Sequence, residues 1–184
     1  MRGFFSILFL AAFCYYPSGG VQLPPDVLVL SSNVHLKNNN GCWMYRGEIF
    51  SGYIVEKDSD AILTKLPVLD GKEHGVAYGW FKNGRKKYER GYSNGNREGY
   101  HKNWYQSGTL AFEYFFRDDK LEGEQRTYYE SGHLWQCLHY VEGHEEGKQI
   151  SKNDDGRVVN NYTIKNGKLY GVVGRFDCMS VHKE

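Results

Sequence analysis

Glycine recurs along this chain with a fixed period, and that period leaves few folds open. Gly75, Gly99, Gly123, Gly147 and Gly171 lie 24 residues apart, and so do Gly84, Gly108, Gly132 and Gly156. A third column reads Gly71, Gly95, Asp119, Gly143 and Gly167. Self-similarity at a period of roughly 20–50 residues marks a repeat architecture, in which each unit buries its surface against its neighbours. The residues before the second column are Asn83, Ser107, Ser131 and Asp155, and those before the third are Asn94, Asp118, Glu142 and Asn166. Such pairs form turns, because glycine tolerates positive φ and a short polar side chain bonds its own backbone. Two turns per period leave segments of about eight to ten residues, a length that favours strands over helices. The segments are rich in aromatic and β-branched residues, with 15 Tyr and 10 Phe in the chain and only 4 Pro, which points the same way. The expectation is an all-β protein: an antiparallel meander of hairpins, one per 24 residues, in an extended open sheet.

Alternation along the second strand of each unit sorts side chains onto two faces. One face is expected to carry Leu110, Phe112, Tyr114 and Phe116, then Leu134, Gln136, Leu138 and Tyr140, then Val158, Asn160, Tyr162 and Ile164. The other takes Thr109, Ala111, Glu113 and Phe115, then His133, Trp135, Cys137 and His139. One face should be buried and the other wetter. The first strands add a ladder of rings at Trp80, Trp104 and Tyr128, flanked by Phe81, Tyr105 and Tyr129. Packing is the favoured reading of this ladder, since rings dominate core energetics; a ligand-stacking platform is the lesser one. Gly99 and Gly123 follow the inter-unit turn, where a Cβ would meet either positive φ or the neighbouring strand.

The pattern Tyr92-x-x-Gly95-x-x-x-Gly99-x-x-x-x-Trp104-Tyr105-x-x-Gly108 resembles the MORN repeat variant of YwqK-type antitoxins. The resemblance covers about 47 to 173, opening with a divergent unit from Tyr45-x-Gly47 to Gly52 and closing with the half unit Gly167-Lys168-Leu169-Tyr170-Gly171. It departs from the pattern at Lys152 and Asn153, which replace the aromatic pair, and at Asp119, which replaces a glycine. It implies a stack of hairpins that contacts proteins or membranes and brings no catalytic residues with it. An antitoxin acts in the cytoplasm, which agrees poorly with the N-terminus of this chain.

That N-terminus reads as an export signal. Arg2 precedes an apolar run from Phe4 to Phe13, too short to span a bilayer, and Ser18 and Gly20 offer a small-residue cleavage zone. Cys14 gives a second reading as an acylated lipoprotein cysteine, although Phe13 is large for the position before it. The expected organisation is a signal peptide over 1–20, a cap or linker over 21–46, the repeat array over 47–173 and a tail over 174–184. Within the cap, Pro24-Pro25 reads as linker, Val27 to Leu30 as a short strand and Asn38-Asn39-Asn40-Gly41 as a turn. The expected location is secreted or periplasmic, with membrane attachment through Cys14 as a weaker option.

Of 23 basic and 22 acidic residues, only Arg2 falls in the first 20 positions, so the remainder is neutral, with 22 of each. A neutral chain has no basic field for nucleic acid. Three cysteines follow the signal, Cys42, Cys137 and Cys178, so at most one disulfide can form among them and the pair is open. His133, Trp135, Cys137 and His139 share a strand face, with His144 beyond the next turn, and His and Cys at i, i+2 can ligate zinc. No CxxC or HExxH accompanies them, so an exposed polar face is the favoured reading and no metal is expected. The carboxylate pairs Asp118-Asp119, Glu145-Glu146 and Asp154-Asp155 fall in expected turns, and not in a pocket where acid–base work needs them. Arg85-Lys86-Lys87 reads as a solvated strand edge.

No catalytic, cofactor-binding or metal-ligating residue is therefore expected. The expected function is a non-enzymatic exported scaffold that holds a protein partner in the cell envelope. A peripheral membrane module is the alternative, with an antitoxin-like protein or a metal-dependent enzyme weaker still.

Overall fold

The computed structural model describes residues 22–172. The signal segment, Cys14, Cys178 and the tail over 174–184 lie outside the described residues. Every regular element described is a strand. The first is β1 (Leu28–Leu30), followed by a small antiparallel ribbon of β2 (Leu36–Asn39), β3 (Cys42–Tyr45) and β4 (Glu48–Ile49). The main sheet then runs through β5 (Gly52–Asp58), β6 (Ala61–Leu69), β7 (Lys72–Glu73), β8 (Gly75–Trp80) and β9 (Lys86–Ser93). It continues with β10 (Asn96–Trp104), β11 (Leu110–Arg117), β12 (Lys120–Leu121) and β13 (Gly123–Tyr128). It closes with β14 (Leu134–Val141), β15 (His144–Lys152), β16 (Val158–Lys165) and β17 (Lys168–Val172). Together with β1, which pairs parallel to β5, these make one open 14-stranded sheet whose neighbours are otherwise antiparallel and sequential. The hairpin meander expected from the glycine period is the observed fold.

The glycine columns mark three backbone devices. In the third column both central turn residues have positive φ, as in Asn94 (50°) and Gly95 (90°), the signature of a type I′ hairpin. Asp118 (46°) and Asp119 (65°) make the same turn without glycine. Asp119 is held there by Arg97, whose backbone N–H and Nε each donate to Asp119 Oδ1 at 2.9 Å. The second column closes the other turn of each unit. Gly84 N–H donates to Phe81 O at 2.8 Å and Gly108 N–H to Tyr105 O at 2.9 Å. Asn153 and Gly156 make the same bond at 2.9 Å, so losing the aromatic pair at 152–153 leaves the hairpin intact. The first column sits on a bulge: Gly99, Gly123 and Gly147 have φ of 75°, 70° and 80°.

The turns also tie each unit to the one before. Glu98 accepts from Asp118 N–H at 3.0 Å, and Glu122 from Glu142 N–H at 2.9 Å. Backbone bonds repeat the arrangement, from Gly95 N–H to Glu73 O at 2.8 Å and from Gly143 N–H to Leu121 O at 3.0 Å.

The hydrophobic core lies at the N-terminal end, where the cap meets the first strands of the array. Val29, Phe50, Ile54 and Val68 are buried together, with Leu36, Trp43, Tyr45 and Leu66 packed on them. The ribbon β2–β4 thus covers one face of β1, β5 and β6, which we term the cap-side face; the opposite one is the open face.

Registers carry both faces through the array. The cap-side row runs Arg90–His101–Tyr114 and Gln125–Leu138–Gln149–Tyr162, and the open row Glu89–Lys102–Glu113–Arg126–Cys137–Ile150–Asn161. Phe112, Tyr114 and Phe116 therefore share the cap-side face, and Glu113, Phe115 and Cys137 the open one, as the alternation implies. Leu110, Leu134 and Val158 are corrections to that assignment. Each pairs with Trp104, Tyr128 or Lys152 across a register shift, because a β-bulge inserts one residue at the start of the second strand. That shift draws them to the side of the open-face rings. From β8 onward burial is deepest on the cap-side face, at Ala77, His101, Gln125, Gln149 and Ser151, whereas in β5 and β6 Val55 and Pro67 are buried on the opposite side. Large rings on the cap-side face lie over small neighbours. The Tyr88 ring so covers Gly79 that a Cβ would stand 2.2 Å from it.

Candidate contact face

Most of the large apolar side chains that the array presents to solvent lie on the open face, Leu169 on the cap-side face being an exception. Val76 (39% exposed), Tyr100 (55%), Trp135 (42%), Val141 (40%), Val159 (50%) and Tyr170 (54%) all fall on it by register. Scattered exposed apolar residues need no explanation, but a face that repeats them along the sheet is the signature of a surface meant to be covered. Tyr100 packs edge-on against Phe115 with ring centroids 5.0 Å apart.

Between these rings the face is polar and internally neutralised. Lys102 Nζ lies 2.6 Å from Glu113, which holds the ammonium pKa above its ordinary range. Arg126 pairs with Glu124 and stands 3.8 Å from Glu113. Tyr100, Phe115, Glu113 and Arg126 line an open depression of about 360 Å³. A neutral ladder with rings set into it suits a large, uncharged contact better than a charged substrate.

The basic run at 85–87 is not a free edge. Arg85 Nη1 donates to the carbonyls of Gln106 (3.1 Å) and Ser107 (2.6 Å) in the next unit's turn. Lys86 pairs with Glu89 at 2.8 Å and lies 5.1 Å from the Trp104 ring centroid and 5.6 Å from that of Tyr78. Lys87 lies over Phe81 at 5.9 Å. The Trp80, Trp104 and Tyr128 ladder is half-buried, and Trp80 stacks on Tyr78 at 5.9 Å.

The His and Cys residues singled out by spacing do not converge. His133 Nδ1 bonds Asp154 O, while His139 Nδ1 bonds Glu146 O at 2.9 Å. Six strand residues separate the two imidazoles, about 20 Å at the usual rise. His144 lies beyond the next turn, exposed at the start of β15. Cys137 and Cys42 are free thiols, so they are not bonded to one another. Burial pushes the Cys137 thiol pKa up, which keeps it protonated and poorly nucleophilic. Among the described residues no three His, Cys, Asp or Glu side chains gather as metal ligands.

The carboxylate pairs serve the backbone. Asp119 holds Arg97, whose bonds keep its pKa below the usual carboxylate range. Glu146 accepts from Asn166 N–H at 3.2 Å, and Asp154 pairs with Ser131 and His133.

Sequence reasoning overlooked two further columns. The glutamates before the bulge glycines, Glu98, Glu122 and Glu146, and the buried side chains His101, Gln125 and Gln149 recur every 24 residues and are as legible by period as the glycines.

No family model matches the sequence, and no curated protein matches it. The resemblance to the MORN variant rests on the residue columns alone.

Proposed function

We propose that this chain is a non-catalytic, exported repeat protein of the MORN-variant kind whose open face holds a protein partner in the cell envelope. The observation that carries the reading is the row of exposed apolar residues from Val76 through Tyr100 and Trp135 to Tyr170, set in a ladder whose charges already pair with one another. Aromatic anchors surrounded by self-satisfied polar groups are the composition of a protein interface core. The export part rests on the segment Phe4 to Phe13.

The test compares capture from envelope extracts by the chain lacking residues 1–20 and by its Tyr100→Glu/Trp135→Glu variant. Leu169→Glu, on the cap-side face, is the control. Capture that survives the double substitution, or is lost equally with Leu169→Glu, overturns the reading. Flotation of the chain with neutral and anionic vesicles alike, without any protein, would favour the membrane alternative instead.

A further inference from the structure

The ribbon β2–β3 carries a second surface feature, apart from the open face. Its strands are in register, with Leu36 opposite Tyr45 and Lys37 opposite Met44, and Arg46 N–H donates to His35 O at 3.0 Å. Leu36, Trp43 and Tyr45 face the core, so alternation turns Lys37 and Met44 outward, with His35 and Arg46 beside them at the strand ends. These four, with Val34 and Asn39, line an open depression of about 590 Å³.

Three basic side chains therefore line one depression at the end of the ribbon, and no carboxylate lines it. None of the three takes part in an ion pair among the described residues. Like charges opposite or diagonal across a ribbon destabilise it. Arg46 is costly in a second way. It occupies the first position of a type I′ turn at φ 55°, where the other units place Asp70, Asn94, Asp118, Glu142 and Asn166. Arginine is not among the residues that adopt this conformation readily. Its guanidinium lies 5.2 Å from the centroid of the Tyr45 ring. Met44 and the largely exposed Val34 add apolar surface beside the three basic side chains.

We infer that this outward face of the ribbon binds a phosphate group, through the Arg46 fork, the Lys37 ammonium and an imidazole N–H of His35. A planar fork beside a point charge suits the several acceptor oxygens of a phosphate. The bound anion would offset the repulsion between Lys37 and Arg46. The inference is independent of the contact face, and neither test uses a residue of the other.

The experiment uses the chain lacking residues 1–20 and two probes, inorganic phosphate and phosphatidylglycerol vesicles, against chloride at equal ionic strength and phosphatidylcholine vesicles. Calorimetric titration and vesicle flotation are the readouts. Arg46→Asn gives the turn the residue type of its sister units, so its melting temperature should hold or rise while affinity for the bound probe falls roughly tenfold or more. Lys37→Gln should weaken binding without changing the turn. Binding of free phosphate identifies a soluble ligand, and binding of anionic vesicles alone identifies a lipid headgroup; either supports the site if both substitutions weaken it. No binding of either probe overturns the inference. So does binding that both variants retain, or a melting temperature that falls in Arg46→Asn, which would make Arg46 a structural residue.

Discussion

Gln149 donates from its side-chain nitrogen to the carbonyl of His139 at 2.8 Å and accepts from the same residue's N–H at 3.0 Å. The bulge at Gly147 sets extra residues of β15 opposite His139, so its backbone has no regular partner in the ladder, and the amide takes that place. Gln125 does the same for Phe115, accepting from its N–H at 2.8 Å, and His101 Nε2 bonds Gly91 O at 2.8 Å. A side chain thus completes the sheet at the bulges of Gly99, Gly123 and Gly147.

Gln149→Leu should therefore cost about 2 kcal/mol or more, because it strands a buried N–H and C=O together. Urea denaturation monitored by tryptophan fluorescence reads the change. A midpoint equal to that of the unsubstituted chain would show that water or a backbone shift satisfies His139.

His101 makes the array sensitive to acid. Burial lowers its pKa from the ordinary 6.5, Arg90 and Arg97 add to this, and the bond to Gly91 and the Asp119 charge oppose it. Its ring also lies between Tyr92 and Phe116, at centroid distances of 5.5 and 4.7 Å. A histidine with a lowered folded pKa binds fewer protons when folded. Its contribution is complete above 6.5 and is lost as pH falls through the folded value. His101→Gln, the residue of the next two units, should keep the fold and remove this part of the acid slope. Melting curves between about pH 7.5 and pH 5 test it, and parallel slopes in both proteins would refute it.

Gly99 has φ 75°, and no other atom lies within 4 Å of the place a Cβ would take, so its requirement is conformational and not steric. Gly99→Val should cost about 1 kcal/mol or more, and Gly99→Asn clearly less, since asparagine tolerates this region. Equal losses for both, measured by thermal melting, would point to crowding instead.

Removal of Gly95 through Asp118 should preserve folding better than removal of half that length. The junction then joins Asn94 to Asp119, two residues that already hold positive φ in type I′ turns. Circular dichroism and melting temperature of the two shortened chains give the comparison.

What the sequence discloses depends on whether a feature needs a special residue. Positive φ at Asn94 and Gly95 selects residues that announce themselves, so the turns, and through them the meander, are readable without coordinates. Phe112 and Tyr114 sit on the face that alternation assigns them. Leu110 does not, because the bulge displacing it is made by backbone geometry that many residues can adopt. Gln125 and Gln149 stand in a column with His101, but the burial of the amide is recognisable only beside the unpaired backbone it serves. The apolar row Val76, Tyr100, Trp135 and Tyr170 escapes notice for another reason: only Val76 and Tyr100 stand one period apart, and register alone brings all four to one side. The cap has no repeat to betray it, so its role as the site of the hydrophobic core and the cluster of Lys37 with Arg46 emerge only in three dimensions.

The bonds that Glu98 and Glu122 accept from the following turns give the array a polarity. Asp118 and Glu142 find their acceptors in chain that precedes them by about one period, and Gly95 finds Glu73 in the same way. Each hairpin is shaped against a finished template on its N-terminal side. A chain of this design can be laid down vectorially, from the core around Val68 outward, as it emerges from a ribosome or a translocation channel. Every closure spans little sequence, so the entropy lost at each step stays small and does not grow with the number of units already in place.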